Sequence, residues 1–89
     1  MAIGLAAVEM LAKLLALEIA PIRVNVVAPG IIDTPMLGDD KAGAAAYGAS
    51  LPVKRMGIAE EVAEAVVFLM TNGFITGEVL HIDGGGRFI

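Results

Sequence analysis

Few side chains in this chain have the types and spacing that chemistry requires, and most of those are explained by turns or packing. His81 is the one histidine and cysteine is absent. No histidine-based triad, thiolate nucleophile or cysteine-ligated zinc or iron-sulfur site can therefore be assembled, and no metal ligand is predicted. His81 lies within an apolar run and reads as a packing residue. Asp33 and Asp83 suggest a carboxylate pair, but each stands beside turn-forming residues, where Asp is common for backbone reasons. Gly84-Gly85-Gly86 is not a phosphate-binding fingerprint, because such a loop must open a helix and only three residues follow it. It is expected to be a tail turn.

The turn at Pro29-Gly30 is more informative. It closes a β-branched run, Ile22 to Ala28, bounded on the other side by Pro21. In open α/β sheets ligands bind just outside the carboxyl ends of the strands, where such a turn sits. Asn25 is the odd polar residue of the run, and a satisfied buried amide is the expected role, since a polar group inside a strand must find hydrogen bonds. Among the methionines, which generally fill gaps in cores, Met36 beside the turn is the one placed near a substrate.

The elements that must position this turn follow from composition and period. Strong helix formers fill Ala2 to Ala20, and Pro21 stops the helix. Glu9 and Lys13 form a narrow polar stripe on it. Ala6, Ala7, Met10, Leu11, Leu14, Leu15 and Leu17 cover most of the remaining circumference, so this helix needs neighbours on more than one side. Gly30 to Gly57 has no sustained period and is longer than ordinary connections, so it is expected to be either a functional lid or a disordered insertion, with a short helix around Lys41 to Tyr47. Val62, Val66, Leu69 and Met70 mark one face of a second helix over Glu60 to Met70, stopped by Asn72-Gly73. Glu78 to Ile82 reads as a strand. The order helix, strand, long loop, helix, strand contains a crossover unit, whose two strands run parallel. Two strands are too few for a stable sheet, so residues 1–89 are read as one partial domain with no second domain.

The totals agree. The chain has 89 residues, 57% hydrophobic and 18% charged. A chain this short buries only about 60% of its unfolded surface, so its surplus of apolar residues predicts self-association or a covering segment. The formal charge of -4, with six scattered basic residues, argues against nucleic acid. The first helix is interrupted by Glu9, Lys13 and Glu18, and a central Lys costs about 2.5 to 3.5 kcal/mol in a bilayer, so no membrane span is predicted. The absence of cysteine is compatible with a reducing cytoplasm, the location expected.

The run Arg23-Val24-Asn25-Val26-Val27-Ala28-Pro29-Gly30-Ile31-Ile32-Asp33-Thr34-Pro35 resembles the late strand and turn of the short-chain dehydrogenase/reductase family, which commonly reads RVNxVxPGxxxT. Ala7-Val8-Glu9 and Leu15-Ala16-Leu17-Glu18 match upstream. Downstream, Gly57, Glu60-Glu61-Val62-Ala63, Phe68-Leu69, Ile75-Thr76-Gly77 and Asp83-Gly84-Gly85 follow in the family's order and spacing. The resemblance covers essentially the whole chain and implies the carboxy-terminal part of a Rossmann-type doubly wound parallel α/β sheet. It further implies an NAD(P)(H)-dependent oxidoreductase moving a hydride between NAD or NADP and a carbonyl/alcohol pair.

By the same resemblance, Pro29 and Gly30 lie against the nicotinamide ring, the backbone of Ile32 holds its carboxamide, and the Thr34 hydroxyl reaches the cofactor phosphates. The segment from Gly38 to Pro52 would be the substrate lid. The family's YxxxK motif falls on Met1-Ala2-Ile3-Gly4-Leu5, so Met1 stands at the tyrosine and Leu5 at the lysine, and neither can do that chemistry. Tyr47 has no lysine at the spacing the motif needs. The Gly-rich phosphate loop, the active-site serine, and the residue after the second strand that selects NAD over NADP match nothing here. No catalytic residue is therefore assigned, and the chain alone is expected to be inactive. Two roles stay open: a portion of an oxidoreductase supplying turn, lid and oligomer surface, or a non-catalytic oligomerisation or regulatory module. In either, homo-oligomers would form through the first helix and last strand. A divergent relative that naturally carries Leu5 is a third reading.

Overall fold

The computed structural model describes residues 2–89. Helix α1, Ala2–Glu18, ends two residues short of the expected Ala20, although the Ile19 amide still donates to Leu15 O. Its inward stripe is Leu5, Glu9, Ala12 and Ala16, with the two alanines buried. Of the polar stripe, Lys13 is exposed while Glu9 is half-buried toward the body of the fold. Small residues win that face because the helix lies close to the chain beneath it: a Cβ on Gly77 would meet Ala16 Cβ at 3.6 Å. Met10, Leu11, Leu14 and Leu17 remain outside, with Leu17 79% exposed, so the helix has an apolar side without a neighbour among the described residues.

Strand β1, Val26–Pro29, pairs in parallel with β4, Val79–Ile82, in the register Val26↔Val79 through Pro29↔Ile82. The strand expected from Ile22 thus starts at Val26. Its first four residues have no ladder partner, because the chain opposite them is still in the turn at Thr76-Gly77, with Gly77 at φ 75°. Side chains and single bonds replace the ladder. The Val24 amide donates to Thr76 Oγ1 (3.1 Å) and the Gly77 amide to Val24 O (2.7 Å). Asn25 donates through Nδ2 to Ile75 O and accepts at Oδ1 from the Glu78 amide, both at 3.0 Å, so its amide is satisfied at each end. Arg23 donates to Leu69 O (2.8 Å), Met70 O (2.9 Å) and Ile75 O (3.2 Å). Those first two are carbonyls that a helix leaves unpaired at its end.

That helix is α3, Ala59–Thr71, within a residue of the expected span, with Leu69 buried. Asn72 ends it: its amide donates to Phe68 O and its side-chain oxygen accepts from the Phe74 amide. At the other end Glu61 accepts from the Ile58 amide (3.0 Å) and takes two bonds of 2.8 Å from Arg55.

The segment read as a long loop is more ordered than its lack of period suggested. It holds strand β2, Ile32–Asp33, paired in parallel with β3, Gly57–Ile58. Between them come a 3-10 turn, Pro35–Asp40, broken at Gly38, and helix α2, Lys41–Ser50. Two-residue strands are too short to show a period of two, so only their pairing reveals them. Leu51, 2% exposed, plugs the space under the glycine turn after β4. There Gly85, at φ 88°, sits so close to Pro52 that a Cβ would come within 2.7 Å of its ring, and the tail closes in a 3-10 turn, Gly86–Phe88. The triglycine is the tail turn expected. The result is an α/β arrangement with parallel strands, and none of its described helices is long and apolar enough to cross a membrane.

Replacing Asn25 by Leu removes the partner of the Glu78 amide and one of the two donors to Ile75 O, the other being Arg23. The loss of two bonds is expected to destabilise the chain by about 1 to 3 kcal/mol, read from the midpoint of urea unfolding. Glu61 offers a pH test. Bonds from Arg55 and the Ile58 amide lower its pKa from 4.5 to about 2. A group with a depressed folded pKa contributes stability that is complete above its unfolded pKa and is lost as pH falls through the folded one. Melting temperature should therefore fall between pH 4.5 and about 2, and the Glu61→Gln variant should show a shallower fall. Solvent screening keeps the effect small.

Candidate functional site

The four residues singled out run from the carboxyl end of β1, at Pro29 and Gly30, through Ile32 of β2 to Thr34 just beyond it. Pro29 is the last residue of the strand, and the Gly30 amide donates to Ile82 O (3.0 Å), extending the parallel ladder by one bond. A Cβ on Gly30 would stand 2.9 Å from Asp83 Cα and 3.0 Å from Asp83 Cβ. The residue must therefore be glycine for the two strand ends to meet, a reason independent of any ligand. The Ile31 carbonyl accepts from the Gly57 amide (3.0 Å), which aims it at β3. Alternate residues of a strand turn their amide and carbonyl to opposite edges. With Ile31 and Asp33 committed to β3, Ile32 presents both groups on the edge facing away from it.

Thr34 follows in extended backbone (φ -137°, ψ 162°) and begins the 3-10 turn. Its carbonyl accepts from the Leu37 amide (3.1 Å), but its side chain makes no capping bond. Thr34 lines a cavity of about 340 Å³ with Asp33, Pro35, Gly38 and Lys41. Lys41 Nζ lies 3.1 Å from Asp33 Oδ1, which ties the start of α2 to β2.

A larger cavity of about 960 Å³ opens beside the Pro29-Gly30 turn. Pro29, Gly30 and Ile31 form one wall, and Leu5 and Val8 of α1 approach it. Leu5, which the resemblance aligns with the motif's lysine, thus lines the same cavity as the turn, while Met1 lies outside the described residues. Tyr47 of α2, which sequence reasoning set aside, and Arg87 of the tail also line this cavity. No local signal marks either, because their meeting depends on how α2 folds back over the tail.

The remaining candidates separate. His81 packs opposite Ala28 in the ladder, with Nε2 3.6 Å from Glu9 Oε1, so it is a partly buried residue joining α1 to β4. Asp33 and Asp83 form no carboxylate pair: one is engaged by Lys41, the other by Arg87 at 2.9 Å. Partial burial pushes the Asp83 carboxyl up, but donation from the Gly85 amide and from the Arg87 side chain and amide outweighs it and holds the group below the ordinary range. Met36 is 95% exposed and lines neither cavity. Among the described residues no cluster of three or more acidic or histidine side chains is placed to hold a metal ion.

The fold is a Rossmann-like α/β arrangement, and comparison with known proteins identifies its family. The family model described as Enoyl-(Acyl carrier protein) reductase matches residues 1–86. The chain belongs to the short-chain dehydrogenase/reductase family, whose carboxy-terminal portion it represents. It is 49% identical over 75 residues to carbonyl reductase family member 4 of Xenopus laevis, covering 82% of this chain and 31% of that protein. It is also 49% identical over 80 residues to the 3-oxoacyl-(acyl-carrier-protein) reductase of Escherichia coli, covering 82% and 32%. Among solved structures, a small-chain dehydrogenase in complex with NADPH superposes with a TM-score of 0.85 at 37% identity, over 94% of this chain and 41% of that one. The aldohexose dehydrogenase of Thermoplasma acidophilum gives a TM-score of 0.78 at 37% identity, over 94% and 39%. The chain therefore spans about a third of the length of the curated relatives it matches.

The Gly30 contact is directly testable. Gly30→Ala must push β1 away from Asp83, and overpacking of this kind is expected to cost about 1 to 3 kcal/mol, measured as a loss in urea midpoint.

Proposed function

We propose that this segment forms the nicotinamide-side wall of an NAD(P)(H)-dependent oxidoreductase site. The bound cofactor would supply the hydride exchanged with a carbonyl/alcohol substrate. The observation that carries this reading is the orientation of Ile32, whose amide and carbonyl both point away from β3. A donor and an acceptor on one strand edge match the two halves of a carboxamide. Pro29 and Gly30 bring backbone, without bulky side chains, to the face where a flat ring would lie. The Thr34 hydroxyl, uncommitted to its own turn, can donate to a phosphate oxygen. These residues fit a nicotinamide dinucleotide. The 3-10 turn and α2, from Gly38 to Pro52, would cover the substrate.

Proton transfer is not among the segment's contributions. Leu5 has no charge with which to tune a neighbouring acid, so the chain alone is inactive in this reading, and phosphate-loop and acid/base groups come from elsewhere. A second reading, a non-catalytic assembly module, is favoured by the uncovered side of α1, where Met10, Leu11 and Leu14 are each more than half exposed. Homo-oligomers through α1 and β4 are compatible with both readings, since an apolar helix face and a free strand edge each gain by pairing.

Titration of the chain with NADPH and with NADH, followed by amide shifts in NMR, should perturb Gly30 to Thr34. Thr34→Val should weaken that binding by about tenfold, the worth of one bond to a charged group. A folded chain with no change at these amides would overturn the reading.

A further inference from the structure

The cavity of about 960 Å³ beside the Pro29-Gly30 turn has a polar end that the cofactor reading does not use. Its volume is that of a small-molecule site, and such sites join apolar walls to a few placed polar groups. Here the apolar walls are Leu5 and Val8 from α1, Leu51 after α2, and Ile89 at the tail. The polar end is made by two side chains from distant parts of the chain. Tyr47 rises from α2 with its hydroxyl 3.9 Å from where a Cβ on Gly86 would lie, so lid helix and tail turn share this wall. Arg87 lines the same cavity, its guanidinium carbon 4.3 Å from the centre of the Phe88 ring.

Neither group is used up. Among the described residues the Tyr47 hydroxyl has no hydrogen-bond partner, and the Arg87 guanidinium donates only through Nη1, to Asp83 Oδ1. The Asp83 carboxylate also accepts from the Gly85 and Arg87 amides, leaving it little capacity for a ligand. The other ionisable side chain on the lining, His81, lies against Glu9. What this end offers is therefore hydrogen-bond donors, with the charge of Arg87 offset by its neighbour.

We infer that Tyr47 and Arg87 form an oxyanion anchor for a substrate with an apolar body and a terminal carboxylate. The inference rests on the proposed oxidoreductase reading for the role of the ligand as substrate, and on the cavity alone for its binding. A carboxylate suits the anchor because it accepts from both groups at once, and bonds from arginine to a carboxylate are stronger than bonds between neutral groups. The apolar walls then select a hydrocarbon body, and the anchor decides which end points away from the turn.

The test uses two probes of equal chain length on the 89-residue protein, octanoate and 1-octanol, each titrated against amide and arginine side-chain NMR shifts. Octanoate should shift resonances of Tyr47, Arg87 and Leu51 and bind at least fivefold more tightly than octanol. Tyr47→Phe, which keeps the ring, and Arg87→Gln should each remove most of that difference while leaving octanol binding unchanged. Equal affinity for the two probes, indifference of octanoate to both variants, or no shift at the cavity with either probe would overturn the inference. NADPH titrated into the same samples reports on Gly30 to Thr34 separately, so failure of the cofactor reading is distinguishable from failure of the anchor.

Discussion

The contact on which the rest depends is the close approach of two parallel strand ends at Gly30 and Asp83. The ladder from Val26↔Val79 to Pro29↔Ile82 brings them together, and only a residue without a Cβ lets the backbones meet. From that point both chains turn sharply. One continues through Ile31 into β2, the other through Gly84 and Gly85 into the tail, and the two cavities open beside the divergence. Each side of the turn is held by bonds from elsewhere: Ile31 by Gly57, Asp83 by the Gly85 and Arg87 amides.

Around this point the fold relies on side chains where regular pairing is missing. A parallel pair of four-residue strands offers few ladder bonds, and its start is held instead by Arg23 and Asn25 reaching across to the end of α3 and the following turn. Arg23 is suited to the place because its planar fork can serve several carbonyls at once. It thereby joins the chain before β1 to the helix that crosses over to β4. The crossover is secured at its other end by the Arg55 to Glu61 pair, so α3 is held at both termini by guanidinium groups from outside the helix.

The same economy explains the exposed apolar surface. The described residues bury mostly small side chains, Ala12, Ala16 and Ala44, together with Leu51 and Leu69, while large residues of α1 stay outside. Helices that approach through alanine come close and leave their larger residues to other neighbours. In a chain matching about a third of its relatives' length, such surface is where additional structure or a second copy would pack.

The sequence by itself determined the two long helices, both main strands and their parallel sense, and the turn at Pro29-Gly30, because each rests on signals within a few residues: helix-forming composition, a β-branched run, proline and glycine. It also carried the family through the ordered motif from Arg23 to Thr34. Only the tertiary structure decided the pairing of Ile32 with Gly57, the inward turn of Glu9 toward His81, the exposure of Met36 and the meeting of Tyr47 with the tail. Each of these joins residues far apart in the chain, and no local period encodes such a contact. The reason Gly30 is glycine belongs to both levels. Its place after the strand is legible in sequence, but the neighbour that forbids a side chain there, Asp83, is supplied by the fold.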